Sequence, residues 1–195
     1  FLSERIFAPL GMHDTHFTVP AEKLERFAAC YVATPEGGMR LQDDPQRSNY
    51  LRTPHFVSGG GGLVSTIGDY LRFCRMLLAG GTLDGARLLS PKTIELMTSN
   101  HLPGGKELPD LSVSLFSEAG YSGVGFGLGF AVTLDAARTL LPGSAGDYSW
   151  GGMASTYFWV DPREELIVIF MTQLMPSTTY PLRRELRTAV YAAFA

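Results

Sequence analysis

Apolar residues recur with a helical period in the first part of the chain and with a period of two in the second. Phe1, Leu2, Ile6, Phe7 and Leu10 share one helical stripe, which predicts a helix over 1–11 stopping at Pro9-Leu10-Gly11. From 12 to 57 the pattern is irregular, with prolines at 20, 35, 45 and 54, and reads mostly as loop with short helical pieces. Ser58 to Gly62 is a glycine turn. Thr66 followed by Asp69 resembles a capping box with Asp in place of Glu. Ile67, Tyr70, Leu71, Cys74, Leu77 and Leu78 then keep a helical period up to Gly80-Gly81. Ser90-Pro91 opens another helix, to about Ser99, and 100–122 read as loop.

The second half changes period. Phe126, Leu128, Phe130, Val132 and Leu134 alternate strictly, which predicts a strand. Residues 148–160 supply a second strand. Leu166–Met171 is continuously apolar, as expected of a strand buried on both faces. Pro181 opens a last helix with Leu182, Leu186, Val190 and Phe194 in register, which assigns Arg183, Arg184 and Arg187 to its solvent side. Helices, a three-strand meander and a final helix together predict an α+β fold, an antiparallel sheet flanked by helices.

Composition narrows the function classes. The 195 residues are 45% hydrophobic and 18% charged, with a net charge of −3. That balance suits a globular domain and gives no electrostatic reason to expect nucleic acid. No apolar run approaches the roughly 18 residues that would span a bilayer. Cys30 and Cys74 have no metal-ligand spacing and read as buried small hydrophobes. His13 and His16 lie three apart without an evident third ligand, so neither a metal nor a cofactor is expected. The chain holds no G-x-S-x-G, H-E-x-x-H or S-x-x-K, and no tyrosine with asparagine two residues on. It therefore carries no recognisable activated nucleophile. The start, FLSERIFAPLGM, has no initiator Met and no signal peptide and begins inside a helix, so the sequence reads as the tail of a longer protein. The compartment is accordingly not legible.

One stretch is conspicuous. In YSWGGMASTYFWVDP, two glycines follow Trp150 inside a strand-like run. Glycine in a strand often marks a bulge or a place where something approaches the backbone closely.

Four stretches, in order, resemble the C-terminal half of the serine β-lactamase and penicillin-binding-protein-like hydrolases, closest to class C β-lactamases and family VIII carboxylesterases. They are FLSERIFAPLGMHDT, SGGGGLVSTIGDYLRFCRMLLAGG, GVGFGLGF and SWGGMASTYFWVDPREELIVIFMTQ, and the resemblance they anchor runs in order along nearly the whole chain. The resemblance implies the fold of that superfamily with its N-terminal part missing. Residues 1–122 would be the remainder of the helical subdomain, and 123–195 the meander and C-terminal helix of the α/β subdomain. The family's S-x-x-K and Y-x-N motifs would precede Phe1. They would be carried by the missing segment or by a second chain, on which the solubility of this one is expected to depend.

Only the third motif, K-T-G in the family, remains, and here it is Trp150-Gly151-Gly152. The resemblance implies that an acyl group lies along this strand, that Gly151 and Gly152 admit it, and that the backbone N–H of Met153 is an oxyanion donor. Trp150 supplies neither the cation nor the hydroxyl that K-T-G offers a β-lactam carboxylate, which favours a neutral small-molecule ester. The expected activity is therefore ester cleavage through a serine acyl-enzyme. A β-lactamase, a D-alanyl-D-alanine peptidase or an acyltransferase of the same fold, or a non-catalytic binding module, stay open at this point. So does Trp150 as a plain core aromatic.

Overall fold

The computed structural model describes residues 1–111 and 121–193. The chain starts helically, with a π-helical turn over Ser3–Phe7 that continues as α1 (Ala8–Leu10). Gly11, left-handed at φ 64°, ends it. Of the predicted stripe, Leu10 is fully buried, Ile6 and Phe7 pack against the core, and Phe1 is exposed.

The irregular region holds more regular structure than its pattern predicts. Strands β1 (Cys30–Ala33) and β2 (Met39–Asp43) form a hairpin. Its turn uses Gly37 and Gly38, both at positive φ. Short 3-10 turns, Ala21–Arg26 and Asn49–Leu51, flank the hairpin.

α2 (Ile67–Leu78) starts as predicted, with the Thr66 side chain accepting from the Asp69 N–H at 3.3 Å. The other half of the expected capping box is absent. Instead the buried Asp69 carboxylate accepts from the Asp14 N–H at 2.7 Å and the Thr15 hydroxyl at 2.8 Å. That ties the segment after α1 to the start of α2. A small hairpin, β3 (Thr82–Leu83) with β4 (Ala86–Arg87), leads to α3 (Pro91–Met97), whose Ser90 cap accepts from the Thr93 N–H at 3.1 Å. Within the region read as loop lies the short helix α4 (Leu108–Leu111); residues 112–120 of that loop are outside the described residues.

The main sheet has five strands, not three. β5 (Val124–Phe126), β6 (Ala131–Thr133), β7 (Tyr148–Gly151), β8 (Tyr157–Asp161) and β9 (Leu166–Phe170) pair antiparallel in chain order. The alternating run 126–134 is a hairpin rather than one strand, because the backbone turns at Gly127–Phe130. A Cβ at Gly127 would collide with the Met97 carbonyl, so α3 presses on the chain where it reverses. The run 148–160 is likewise two strands. β9 is half-buried along its length and not sealed on both faces, because it lies at the edge of the sheet among the described residues. The short α5 (Ala136–Thr139) links β6 to β7, and β10 (Leu174–Met175) leaves this sheet to pair parallel with β1.

Strand alternation sorts the sheet into two faces. Phe158 and Val160 on β8, with Tyr148 and Phe130, face α2 and share a core with Cys74, Met76 and Leu77. The Tyr70 ring meets Phe158 edge-on at 5.1 Å. Both cysteines are buried and free. Burial pushes the Cys74 thiol up to about 12 and also raises Cys30. Neither should react with a thiol reagent such as DTNB in the native protein, whereas both should react after denaturation. Rapid native labelling of Cys74 would contradict this packing.

The opposite face receives α6 (Leu182–Ala192). Here the sequence expectation is inverted. Arg183, Arg187 and Tyr191 meet the sheet, with Arg187 the buried residue of the helix, while Leu182, Leu186 and Val190 are only half-buried. Arg187 is 6% exposed and ion-paired with the buried Asp147, and Phe194 lies outside the described residues. The Arg183 guanidinium lies over the Tyr157 ring at 5.3 Å, Arg187 over Trp159 at 5.4 Å, and the Tyr191 hydroxyl donates to Asp161 at 2.6 Å. Four helical residues advance about 6 Å and two strand residues about 6.6 Å, so every fourth position of α6 meets every second position of β8.

Candidate active site

The segment Trp150–Met153 runs from the end of β7 into the turn of the β7–β8 hairpin. Its register pairs Tyr148 with Val160, Ser149 with Trp159, Trp150 with Phe158 and Gly151 with Tyr157. The register puts Trp150 in line with Phe158 and Gly151 on the α6 face, and the Trp150 ring at the sheet end also borders a cavity with Gly151, Tyr157 and Arg183. The Trp150 ring packs edge-on against Phe126 at 5.0 Å and stays 42% exposed. It is an apolar surface at the sheet end, not a sealed core aromatic.

Gly152 begins a β-turn. Its N–H donates to the Thr156 carbonyl at 2.9 Å, and its carbonyl accepts from the Ser155 N–H at 3.2 Å. Met153 and Ala154 are the two central residues. The Met153 side chain is 62% exposed, and its N–H donates to no acceptor among the described residues.

Two groups that sequence reasoning missed hold this turn. Ser155 is buried at 3% exposure in the left-handed region, φ 68°, and its hydroxyl donates to the Leu174 carbonyl at 2.6 Å. The Leu174 N–H returns a bond to the Ala154 carbonyl at 3.1 Å, so the turn is clamped to β10. The second group is Arg183, whose Nη2 donates to the Gly152 carbonyl at 2.8 Å and to Thr156 at 3.2 Å. A Cβ on Gly151 would stand 2.5 Å from that nitrogen. What approaches Gly151 here is thus the chain's own guanidinium. A Cβ on Gly152 would strike the Thr156 hydroxyl. The only sequence signal for Arg183 was its spacing of four from Arg187 and eight from Tyr191. That spacing marks a helix face without saying which way it turns.

The four expected site residues are thus together at one end of the sheet. The Trp150 ring is at the sheet end, the two glycines are packed against Arg183 and Thr156, and the Met153 N–H, without an acceptor among the described residues, lies in the turn. Such a turn offers a preorganised backbone donor beside an apolar wall, which suits a negative charge developing on a carbonyl oxygen.

A protein-family model described as Beta-lactamase matches residues 1–193. Protein Rv1367c of Mycobacterium tuberculosis is 37% identical over 178 residues, which are 90% of this chain and 43% of that protein. Monacolin J acid methylbutanoyltransferase of Aspergillus terreus is 27% identical over 207 residues, covering 100% of this chain and 48% of that protein. The structure of unliganded simvastatin synthase (LovD) from Aspergillus terreus superposes with a TM-score of 0.81 at 27% identity, over 99% of this chain and 50% of that one. The chain spans about half the length of the relatives it matches. Its five-stranded antiparallel sheet, held between α2 and α6, is the sheet of a β-lactamase and penicillin-binding-protein-like fold, and the chain belongs to the beta-lactamase family.

Proposed function

We propose that this chain forms the acyl-binding and oxyanion-donating part of a serine hydrolase or acyltransferase. The serine, its base and a tyrosine would come from S-x-x-K and Y-x-N motifs outside these residues. The serine oxygen attacks the carbonyl carbon of an ester, and its proton passes to the base. The carbonyl oxygen becomes an oxyanion facing the Met153 N–H. The tetrahedral adduct then collapses, the base passes that proton to the departing alkoxide, and a neutral alcohol leaves behind an acyl-enzyme. The observation that carries this reading is the Met153 N–H, which belongs to an exposed residue and donates to no acceptor among the described residues, in a turn braced on both sides.

The three motif positions themselves offer no charge to a substrate carboxylate, and the nearby Arg183 cation is engaged by the Gly152 and Thr156 carbonyls. Trp150 offers an apolar wall, and neither glycine supplies a hydroxyl or cation for a substrate carboxylate. Water completes an esterase cycle and an alcohol completes a transferase cycle, from the same acyl-enzyme. The likeness to a methylbutanoyltransferase supports an acceptor other than water.

The test uses the complete polypeptide that contains this chain. Fluorophosphonate should label it, and p-nitrophenyl butyrate should be turned over in preference to nitrocefin. Product analysis with an added alcohol divides hydrolysis from transfer. A clear preference for nitrocefin would overturn the argument from Trp150, and absence of fluorophosphonate labelling would leave a non-catalytic binding module.

A further inference from the structure

We propose that Arg183 is a positioning residue for the oxyanion donor, fixing and polarising the Gly152–Met153 peptide from the face opposite the substrate. The inference rests on the acyl-transfer reading above and assigns a role to a side chain that would not touch substrate.

The Gly152 carbonyl and the Met153 N–H belong to one planar trans peptide, so they point in opposite directions. The guanidinium holds the oxygen end at 2.8 Å. Holding the oxygen aims the N–H away from α6, toward the open side of the turn. The same Nη2 also reaches the Thr156 carbonyl at 3.2 Å, so both strands of the hairpin end are gripped by one cation. Its position is set independently of the turn, because α6 carries it over the Tyr157 ring at 5.3 Å.

The charge does more than fix a direction. A hydrogen bond from an ionised donor is about twice as strong as a neutral one. Drawing electron density onto the Gly152 oxygen leaves the Met153 N–H more positive, and hydrogen bonds linked in series strengthen one another. The N–H would therefore be a stronger donor when negative charge appears on the substrate oxygen, and less so to the neutral ester. That difference between transition state and ground state is what raises kcat without tightening KM. Gly151 makes the arrangement possible. Any side chain there would occupy the place of the guanidinium, with its Cβ 2.5 Å from Nη2. The turn is closed on its other side by the Ser155 hydroxyl on the Leu174 carbonyl, so the hairpin end is braced from two sides while the Met153 N–H stays unengaged among the described residues.

A simple brace between helix and sheet would use the same contacts, so the experiment separates stability from chemistry. In the complete polypeptide, Arg183→Met should lower kcat on p-nitrophenyl butyrate about tenfold. That is less than the 10²–10³ typical of deleting a donor outright, because the N–H remains. KM should stay within about twofold. Affinity for a trifluoromethyl ketone, whose serine adduct carries the oxyanion, should fall in parallel with kcat. Arg183→Lys keeps a cation and should recover part of the loss. Arg183→Gln keeps a donor without charge and should not, and this pair carries the test if the Met variant does not fold. Variants with a lowered thermal midpoint but unchanged kcat and unchanged ketone affinity would make Arg183 a brace only and overturn the proposal. A wild type that neither labels with fluorophosphonate nor cleaves esters would remove the acyl-transfer reading itself, and this role with it.

Discussion

Replacing Arg187 by Met should lower the unfolding free energy by about 3–5 kcal/mol, the usual consequence of stranding a buried partner charge. Asp147 is 1% exposed and makes its ion pair with Arg187 in the same buried site. The Thr133 hydroxyl donates to its other oxygen at 2.7 Å, and the Ser144 N–H approaches at 3.2 Å. Arg187 also donates from Nε to the Pro142 carbonyl at 2.7 Å. Gly143, at φ 150°, leaves room for this assembly, since a Cβ there would stand 2.7 Å from the Asp147 carboxylate. Domains of this kind hold only about 5–15 kcal/mol in total, so the loss should be plain in a urea denaturation curve of the complete polypeptide.

The deficit should also depend on pH. Burial pushes the Asp147 carboxyl above its ordinary value of 3.8, against the pull of the Arg187 charge and the Thr133 hydroxyl. Removing Arg187 leaves the burial effect less opposed. The folded variant then binds a proton more readily than the unfolded chain does, and its stability falls as pH rises. The deficit should be smallest near pH 4 and grow as pH rises through the folded-state value. Asp147→Asn should destabilise too, because it leaves the cation uncompensated. A double replacement, Asp147→Leu with Arg187→Met, should cost less than the two single losses summed. A single-variant cost below about 1 kcal/mol, or strict additivity, would mean that the pair is not what joins α6 to the sheet.

The second large effect concerns chemistry. Met153→Pro should reduce kcat about 10²–10³-fold, equivalent to about 2.7–4 kcal/mol of transition-state stabilisation. Proline is the one substitution that deletes a backbone N–H. Met153 occupies the first central position of a turn closed by the Ser155 N–H on the Gly152 carbonyl, the turn position at which proline is favoured. The methionine side chain is 62% exposed, so little packing is lost. The thermal midpoint should therefore stay close to that of the wild type. A proline variant that keeps kcat within about twofold would move the oxyanion donor elsewhere.

Local signals in the sequence were read correctly where their physics is local. Thr66 and Ser90 cap their helices because a hydroxyl three residues ahead of an N–H needs no distant partner. Gly11 and Gly80 stop helices because left-handed backbone is open to them. Strands were placed but not counted. A period of two runs on through a four-residue reversal, so 126–134 read as one strand, and what splits it is the Met97 carbonyl against Gly127. The β1–β2 hairpin was missed because prolines and short strands masked its alternation.

The C-terminal helix shows the same limit from another side. Its aliphatic residues suggested an inward stripe, yet the sheet presents Tyr157, Trp159 and the Asp147 carboxylate to it, and guanidinium groups satisfy that surface better. The order of the four family-like stretches and the placing of Trp150-Gly151-Gly152 as a motif within a strand-like run are properties of the sequence by itself, since they follow from neighbours along the chain. That Arg183 fills the space beside Gly151 and holds the Gly152 carbonyl was decided only by the tertiary structure. Arg183 lies 31 residues from Gly152, and only the docking of α6 on the sheet brings a charge from there to within hydrogen-bonding distance of that one peptide.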